Sequence, residues 1–169
     1  NYIKIWNYTD TADKGADNLC SIVFGETEDH KAEVLDVLFT KEPMEQTETA
    51  HAEQIKNNQV NHARIESNSG GRGFSRNSER IVKERGYRGA YYEPFHQSAN
   101  KQSRILSNAA LVENNVFFPS DWKIRWPDFY EAMTTYQREG KNKHDDAPDA
   151  VTGIVETLAN DNKVQFIQF

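Results

Sequence analysis

Three carboxylates fall within five residues in the string Lys143-His144-Asp145-Asp146-Ala147-Pro148-Asp149-Ala150, at the opening of an apolar-periodic segment. Pro148 sits where a first helical turn tolerates it, so the segment predicts a helix over roughly Asp146 to Leu158. Residues three apart on a helix point the same way, which sets Asp146 beside Asp149. Two bare carboxylates on one face repel each other unless something positive lies between them, and a divalent cation meets that need. The alternative is that Asp145 and Asp146 cap the helix and complement its dipole. Both readings stand on this string alone.

At 169 residues the chain is long enough for one domain with a real core, and one domain over 1–169 is expected. Mean hydropathy is -0.84, polar but with 11% aromatic residues to build from. No run of about 18 apolar residues exists to span a membrane, and the first residues lack a signal pattern. The single cysteine, Cys20, excludes an internal disulfide and fits a reducing compartment, hence a cytoplasmic protein or a piece of one. The net charge of -6 argues against nucleic acid only weakly, because acids that bind metal and bases that cluster escape a global sum. Arg72, Arg76, Arg80, Lys83, Arg85 and Arg88 face only Glu79 and Glu84 in their stretch. Such an excess can follow a phosphate backbone, or decorate an ordinary solvated helix.

The order of elements narrows the fold. Tyr2 to Thr9 reads as a strand ending at Asp10, followed by a polar turn, Asp10 to Asp17, around Gly15. Leu19 to Phe24 and Ala32 to Thr40 read as two more strands, and short junctions make the three an antiparallel meander. A helical stretch follows from Glu45 to about Asn58, then a strand from Asn61 to Ile65 that delivers Glu66. Ser67 to Gly73 reads as a turn-rich loop, Ser75 to Arg85 as a helix ended by Gly86, and Tyr87 to Tyr92 as a strand. Helices are expected over Lys101 to Asn115 and Asp128 to Arg138, with Val116 to Phe118 extended between them. Gly140 to His144 reads as a linker, and the apolar tail after Asn162 as an edge strand or a junction. A meander followed by α/β crossovers predicts one mixed sheet with helices on its faces.

Three acidic positions then occupy comparable places: Asp10 and Glu66 at strand ends, Asp146 with Asp149 at a helix start. Acids at the ends of neighbouring strands converge at one sheet edge. Hard oxygen ligands suit Mg²⁺ or Mn²⁺, and two such ions about 4 Å apart support phosphodiester hydrolysis. Taken alone, an aspartate such as Asp10 caps a turn more often than it binds a metal. Asp13 and Asp17 read as turn formers, Asp17 with a second possibility near the metals. Glu66, between a β-rich run and glycines, seldom serves a core. His144 can orient water or phosphate, or be an ordinary loop histidine. Gly70, Gly71 and Gly73 let backbone amides approach a phosphate, or simply permit positive φ. Neither zinc-ligand spacing nor a Walker A loop is present.

Together, DTADKGAD (10–17), IESNSGGRGFSR (65–76), KQSRI (101–105) and KHDDAPDAVTG (143–153) resemble the C-terminal nuclease domain of tailed-phage and prophage terminase large subunits. The resemblance spans Tyr2 to about Leu158. It implies an α/β, RNase H-like (RuvC-type) mixed sheet of five or more strands, its first three antiparallel, flanked by helices. It further implies a two-metal endonuclease, using Mg²⁺ or Mn²⁺, that cuts concatemeric double-stranded DNA during genome packaging in the bacterial host cytoplasm.

Carried over, Asp10 matches the first-strand aspartate, Glu66 the acid after the fourth strand, and DDAPDA the final-helix aspartates. The match leaves open which of Asp145, Asp146 and Asp149 binds metal; helix geometry favours Asp146 and Asp149. Lys101 and Arg104 match a basic pair facing DNA or the active site, which joins Arg72, Arg76 and Arg80 as expected DNA contacts. Implied partners are the ATPase domain in cis, which this stretch lacks, the portal protein and the small terminase subunit. A resolvase or transposase of the same fold, and a DNA- and portal-binding module with weak nuclease activity, are the competing expectations.

Overall fold

The computed structural model describes residues 1–11, 18–137, 142 and 145–163. Strands β1 (Lys4–Asp10), β2 (Leu19–Glu26) and β3 (Ala32–Thr40) form the expected antiparallel meander. Strand β4 (His62–Glu66) joins β1 in parallel, and β5 (Tyr91–Phe95) joins β4 in parallel. A two-residue strand β6 (Val116–Phe117) closes the other edge against β3, giving a six-stranded mixed sheet in the order β5-β4-β1-β2-β3-β6. Helices α1 (Met44–Asn57) and α2 (Gly71–Glu84) cover one face. Helices α3 (Lys101–Asn115), α4 (Trp122–Arg125), α5 (Pro127–Thr134) and α6 (Asp146–Lys163) lie on the other side, where α6 supplies most of the packing.

Strand β1 is buried on both faces because β2 and β4 flank it and helices lie above and below. Its side chains alternate: Trp6, Tyr8 and Asp10 point toward α6, Asn7 and Thr9 toward α1. The α6 side packs Trp6 and Tyr8 with Ile22, Phe24, Val151 and Ile154. The α1 side is apolar at Val23, Ile55, Ile65 and Phe74 but holds a polar seam at its centre. There Asn7 Nδ2 donates to Ser21 Oγ at 2.8 Å, and Ser21 Oγ donates to Gln54 Oε1 at 2.7 Å. His51 Nε2 lies 3.1 Å from Thr9 Oγ1, and its Nδ1 lies 2.6 Å from Ser78 Oγ. Fully buried polar groups are tolerable only when partnered in this way.

Several boundaries differ from the sequence reading for physical reasons. Helix α2 starts at Gly71 rather than Ser75, so the glycines form a 3₁₀ turn (Asn68–Gly70) and a first helical turn instead of a loop. Gly70 takes φ 110°, a conformation that only glycine adopts freely. Strand β5 begins at Tyr91, not Tyr87, because Tyr87 folds back and donates its hydroxyl to Val60 O at 2.7 Å. Helix α5 ends at Thr134, where the Thr134 and Thr135 hydroxyls bond back to the Tyr130 and Glu131 carbonyls. Helix α6 runs on to Lys163, past Leu158. The expected tail strand, and the Gly140–His144 linker apart from Asn142, lie outside the described residues.

Burial drives the His51 imidazole down to about pKa 3, so the folded protein keeps it neutral while an unfolded histidine charges near pH 6.5. The unfolded chain therefore binds the extra proton between those values, and this contribution to stability, complete above pH 6.5, declines as pH falls toward 3. Unfolding free energy measured from pH 6.5 to 4 should fall less steeply in His51→Gln than in the parent, by up to about 1.4 kcal/mol per pH unit. Equal slopes would mean that the buried ring titrates normally.

Candidate active site

The parallel register that pairs Thr9 with Ile65 carries Asp10 and Glu66 to adjacent positions at the C-terminal ends of β1 and β4. Both side chains emerge on the α6 face, as the two-residue alternation from Trp6 and Tyr8 requires. Gly71 makes this arrangement possible from the opposite side. A Cβ there would lie 2.0 Å from the Glu66 carbonyl oxygen, so only glycine lets α2 begin so close to the end of β4. Helix α6 crosses the same strand ends with its first turn, which delivers Asp146 and Asp149.

Oxygens of Asp10, Glu66 and Asp149 lie within 4.8 Å of one another, and all three residues are buried. At 4.8 Å and an effective dielectric of about 20, each ionised pair repels by about 3 kcal/mol. Three such pairs approach about 10 kcal/mol, comparable with the whole stability of a domain, so the pocket must be neutralised. Part of the neutralisation comes from α3. Lys101 Nζ donates to Asp10 Oδ2 at 2.9 Å and to Asp146 Oδ1 at 3.3 Å, and lies 3.6 Å from Asp149 Oδ2. One turn later, Arg104 Nη1 donates to Asp149 Oδ1 at 2.6 Å and lies 3.7 Å from Glu66 Oε1. Asn100 fixes the start of α3 by accepting the Ser103 amide at 3.1 Å.

Among the described residues, two cations stand against four carboxylates, which leaves a deficit. Burial, reinforced by the Glu66 charge and opposed by Lys101, holds the Asp10 carboxyl well above its usual range. Burial likewise raises Asp149 to about 6 despite Arg104 and Lys101 beside it. Burial pulls against the charge on Lys101, but Asp10, Asp149 and Asp146 outweigh it and keep the ammonium protonated. Among the described residues, Asp149 Oδ2 is buried without a hydrogen-bond partner, with Lys101 Nζ outside bonding range at 3.6 Å, a cost that native structures seldom leave uncompensated. An oxygen-only donor set with an orphaned carboxylate oxygen fits a hard divalent cation such as Mg²⁺ or Mn²⁺.

The pocket opens into a cavity of about 230 Å³ lined by Asp10, Thr11, Glu66, Asn68, Lys101, Asp145 and Asp146. Asp146 turns one oxygen away from it, accepting the Asn18 amide at 3.0 Å. Asp145 lines the cavity but stands outside the cluster of Asp10, Glu66 and Asp149.

The expected DNA contacts divide. Arg72 and Arg76 are exposed on the first turns of α2. Arg80 is exposed too, though engaged with Glu84 at 2.8 Å. Arg104 is only 5% exposed and makes its bonds inside the pocket. Asp13, Asp17 and His144 lie outside the described residues. Two further site residues were not anticipated. Tyr8 sits two positions before Asp10 on the same strand face, and Glu156 lies seven after Asp149 on the same helix face. Strand alternation and helical periodicity respectively could have found them.

A family model described as the terminase RNaseH-like domain matches residues 7–157. No curated protein matches the sequence. Among solved structures, the human cytomegalovirus terminase nuclease domain, Mn-soaked and inhibitor-bound, superposes with a TM-score of 0.66 at 14% identity, covering 98% of this chain and 87% of that one. A mutant of the bacteriophage Sf6 large terminase subunit domain, with calcium, gives 0.63 at 11% identity over 91% of this chain and 88% of that one. The fowlpox virus Holliday junction resolvase gives 0.52 at 11% identity over 92% and 99%. At these identities the superpositions speak for the RNase H-like fold, which the six-stranded mixed sheet displays. With the family model covering most of its length, the chain belongs to the terminase RNaseH-like domain family.

Proposed function

We propose that this chain is a divalent-metal-dependent endonuclease that hydrolyses double-stranded DNA with little sequence preference, as in concatemer cutting during viral genome packaging. The observation that carries the reading is the crowding of Asp10, Glu66 and Asp149 oxygens within 4.8 Å in a buried, under-neutralised pocket. Asp10, Glu66 and Asp149, with Asp146 beside them, would hold Mg²⁺ or Mn²⁺, two ions on this reading. Bound there, such ions supply a nucleophilic water and stabilise charge on the scissile phosphate and leaving oxygen.

The protein's own groups do the rest. Lys101 keeps the carboxylates from repelling one another open. Arg104 holds one Asp149 oxygen in a fixed direction. Arg72 and Arg76 offer exposed guanidinium groups to the DNA backbone a few residues from Glu66. On the same reading the partners are duplex DNA, an ATPase domain of the same polypeptide, the portal and the small terminase subunit, met in the host cytoplasm. Among the described residues no helix is long and apolar enough to cross a membrane.

Supercoiled plasmid incubated with Mn²⁺ should be nicked and linearised, and EDTA should stop it. Asp10→Asn and Glu66→Gln preserve shape and remove a ligand charge; each should slow cleavage on the order of 10²-fold or more. Parent-like cleavage by both variants would move the chemistry elsewhere, and DNA binding without cleavage by the parent would favour a binding module.

Replacing Arg72 and Arg76 with Ala should weaken DNA binding regardless of sequence. Losing two phosphate contacts should flatten the slope of log affinity against log salt by about 2. An unaltered slope would exclude this face of α2 from the DNA interface.

A further inference from the structure

We propose that Tyr8 is a positioning residue for the metal pocket, holding Glu66 in its ligand orientation by a direct hydrogen bond that Arg104 backs from behind and that Gly153 makes possible. The inference rests on the metal-dependent reading above. Tyr8 is completely buried and its hydroxyl donates to Glu66 Oε1 at 2.6 Å. Arg104 Nη2 donates to the same hydroxyl at 3.3 Å. A phenol has one proton to give, and with Arg104 supplying the donor on its other side that proton is committed to Glu66. Arg104 itself cannot swing freely. Its Nε and Nη2 donate to Glu156 at 3.1 and 2.7 Å, and its Nη1 donates to Asp149 Oδ1 at 2.6 Å.

The result is a continuous strut, Glu66–Tyr8–Arg104–Asp149, with Glu156 as its anchor. One oxygen of Glu66 and one of Asp149 are spent on it. The remaining Asp149 oxygen, Oδ2, has no hydrogen-bond partner among the described residues. Fixing one oxygen of a carboxylate presents the other in a set direction, which is how outer partners orient metal ligands.

Gly153 points to the same conclusion from α6. A Cβ at that position would lie 2.1 Å from Tyr8 Cζ, so the ring is seated directly against the helix backbone. Glycine weakens a helix interior, yet here it buys the approach that carries the hydroxyl to Glu66. Phenylalanine would fill the same space, so packing does not account for the hydroxyl; its two partners are both pocket residues.

The test compares Mn²⁺ binding by calorimetry, without DNA, in the parent chain, Tyr8→Phe and Glu156→Gln, alongside the melting temperature of each metal-free protein. The parent should bind Mn²⁺. Tyr8→Phe should bind it about 10- to 100-fold more weakly while remaining folded, and Glu156→Gln should shift the same way. A purely structural role would lower the metal-free melting temperature and leave the Mn²⁺ affinity unmoved, which overturns the proposal. Should Tyr8→Phe not fold, unchanged affinity in Glu156→Gln overturns it equally, and weakened affinity supports it. If the parent itself binds no Mn²⁺, the metal-dependent reading fails and the strut proposal fails with it, a result distinct from a variant that binds as the parent does.

Discussion

Mutual repulsion among Asp10, Glu66, Asp146 and Asp149 is the constraint around which this end of the molecule is organised. No isolated element would bring those groups together. The parallel pairing of β1 with β4 sets two of them side by side, and α6 adds two more across the strand ends. Helix α3 answers with Lys101 and Arg104 on one face, so that the same fold which creates the electrostatic problem supplies part of its remedy. The remainder shows up as raised carboxyl pKa values and an orphaned oxygen, both of which a divalent cation would relieve.

The two faces of the sheet meet polarity in different ways. On the α6 side, charge is gathered at the strand ends and opens to a cavity. On the α1 side, the neutral groups Asn7, Thr9, Ser21, Gln54 and His51 bond to one another in a buried seam that Ser78 continues toward Tyr92. Strand β1 feeds both, because alternate residues of a strand buried on two faces serve two environments. Its sequence, Lys4-Ile5-Trp6-Asn7-Tyr8-Thr9-Asp10, lacks the run of aliphatic residues common in central strands for that reason.

Much of this was legible in the residues. The meander, the mixed sheet and the helices between its later strands followed from β-rich runs, turn residues and periodicity. Glu66 stood out because it ends a strand-like run just before glycines, where a charge seldom serves a core; Asp10, an ordinary turn residue alone, gained weight only beside it and the later aspartates. What escaped depends on burial and distance. Arg104 stood in sequence as facing either DNA or the active site, and only its enclosure, which sequence does not display, decides for the pocket. Tyr87 has strand propensity, yet its hydroxyl finds the Val60 carbonyl and delays β5 to Tyr91. The glycines after Ser69 looked like a loop because their conformational freedom signals a turn; that a helix could start among them depends on Gly71 meeting the Glu66 carbonyl.

That last contact has a mechanical consequence. With no room for even a methyl group between Gly71 and the Glu66 carbonyl, α2 and the end of β4 share one rigid joint. On the proposed reading, a load that a duplex placed on α2 through Arg72 and Arg76 would be borne at that joint rather than in a slack linker. Registration between a duplex backbone held there and the Glu66 carboxylate would then rest on that one close approach.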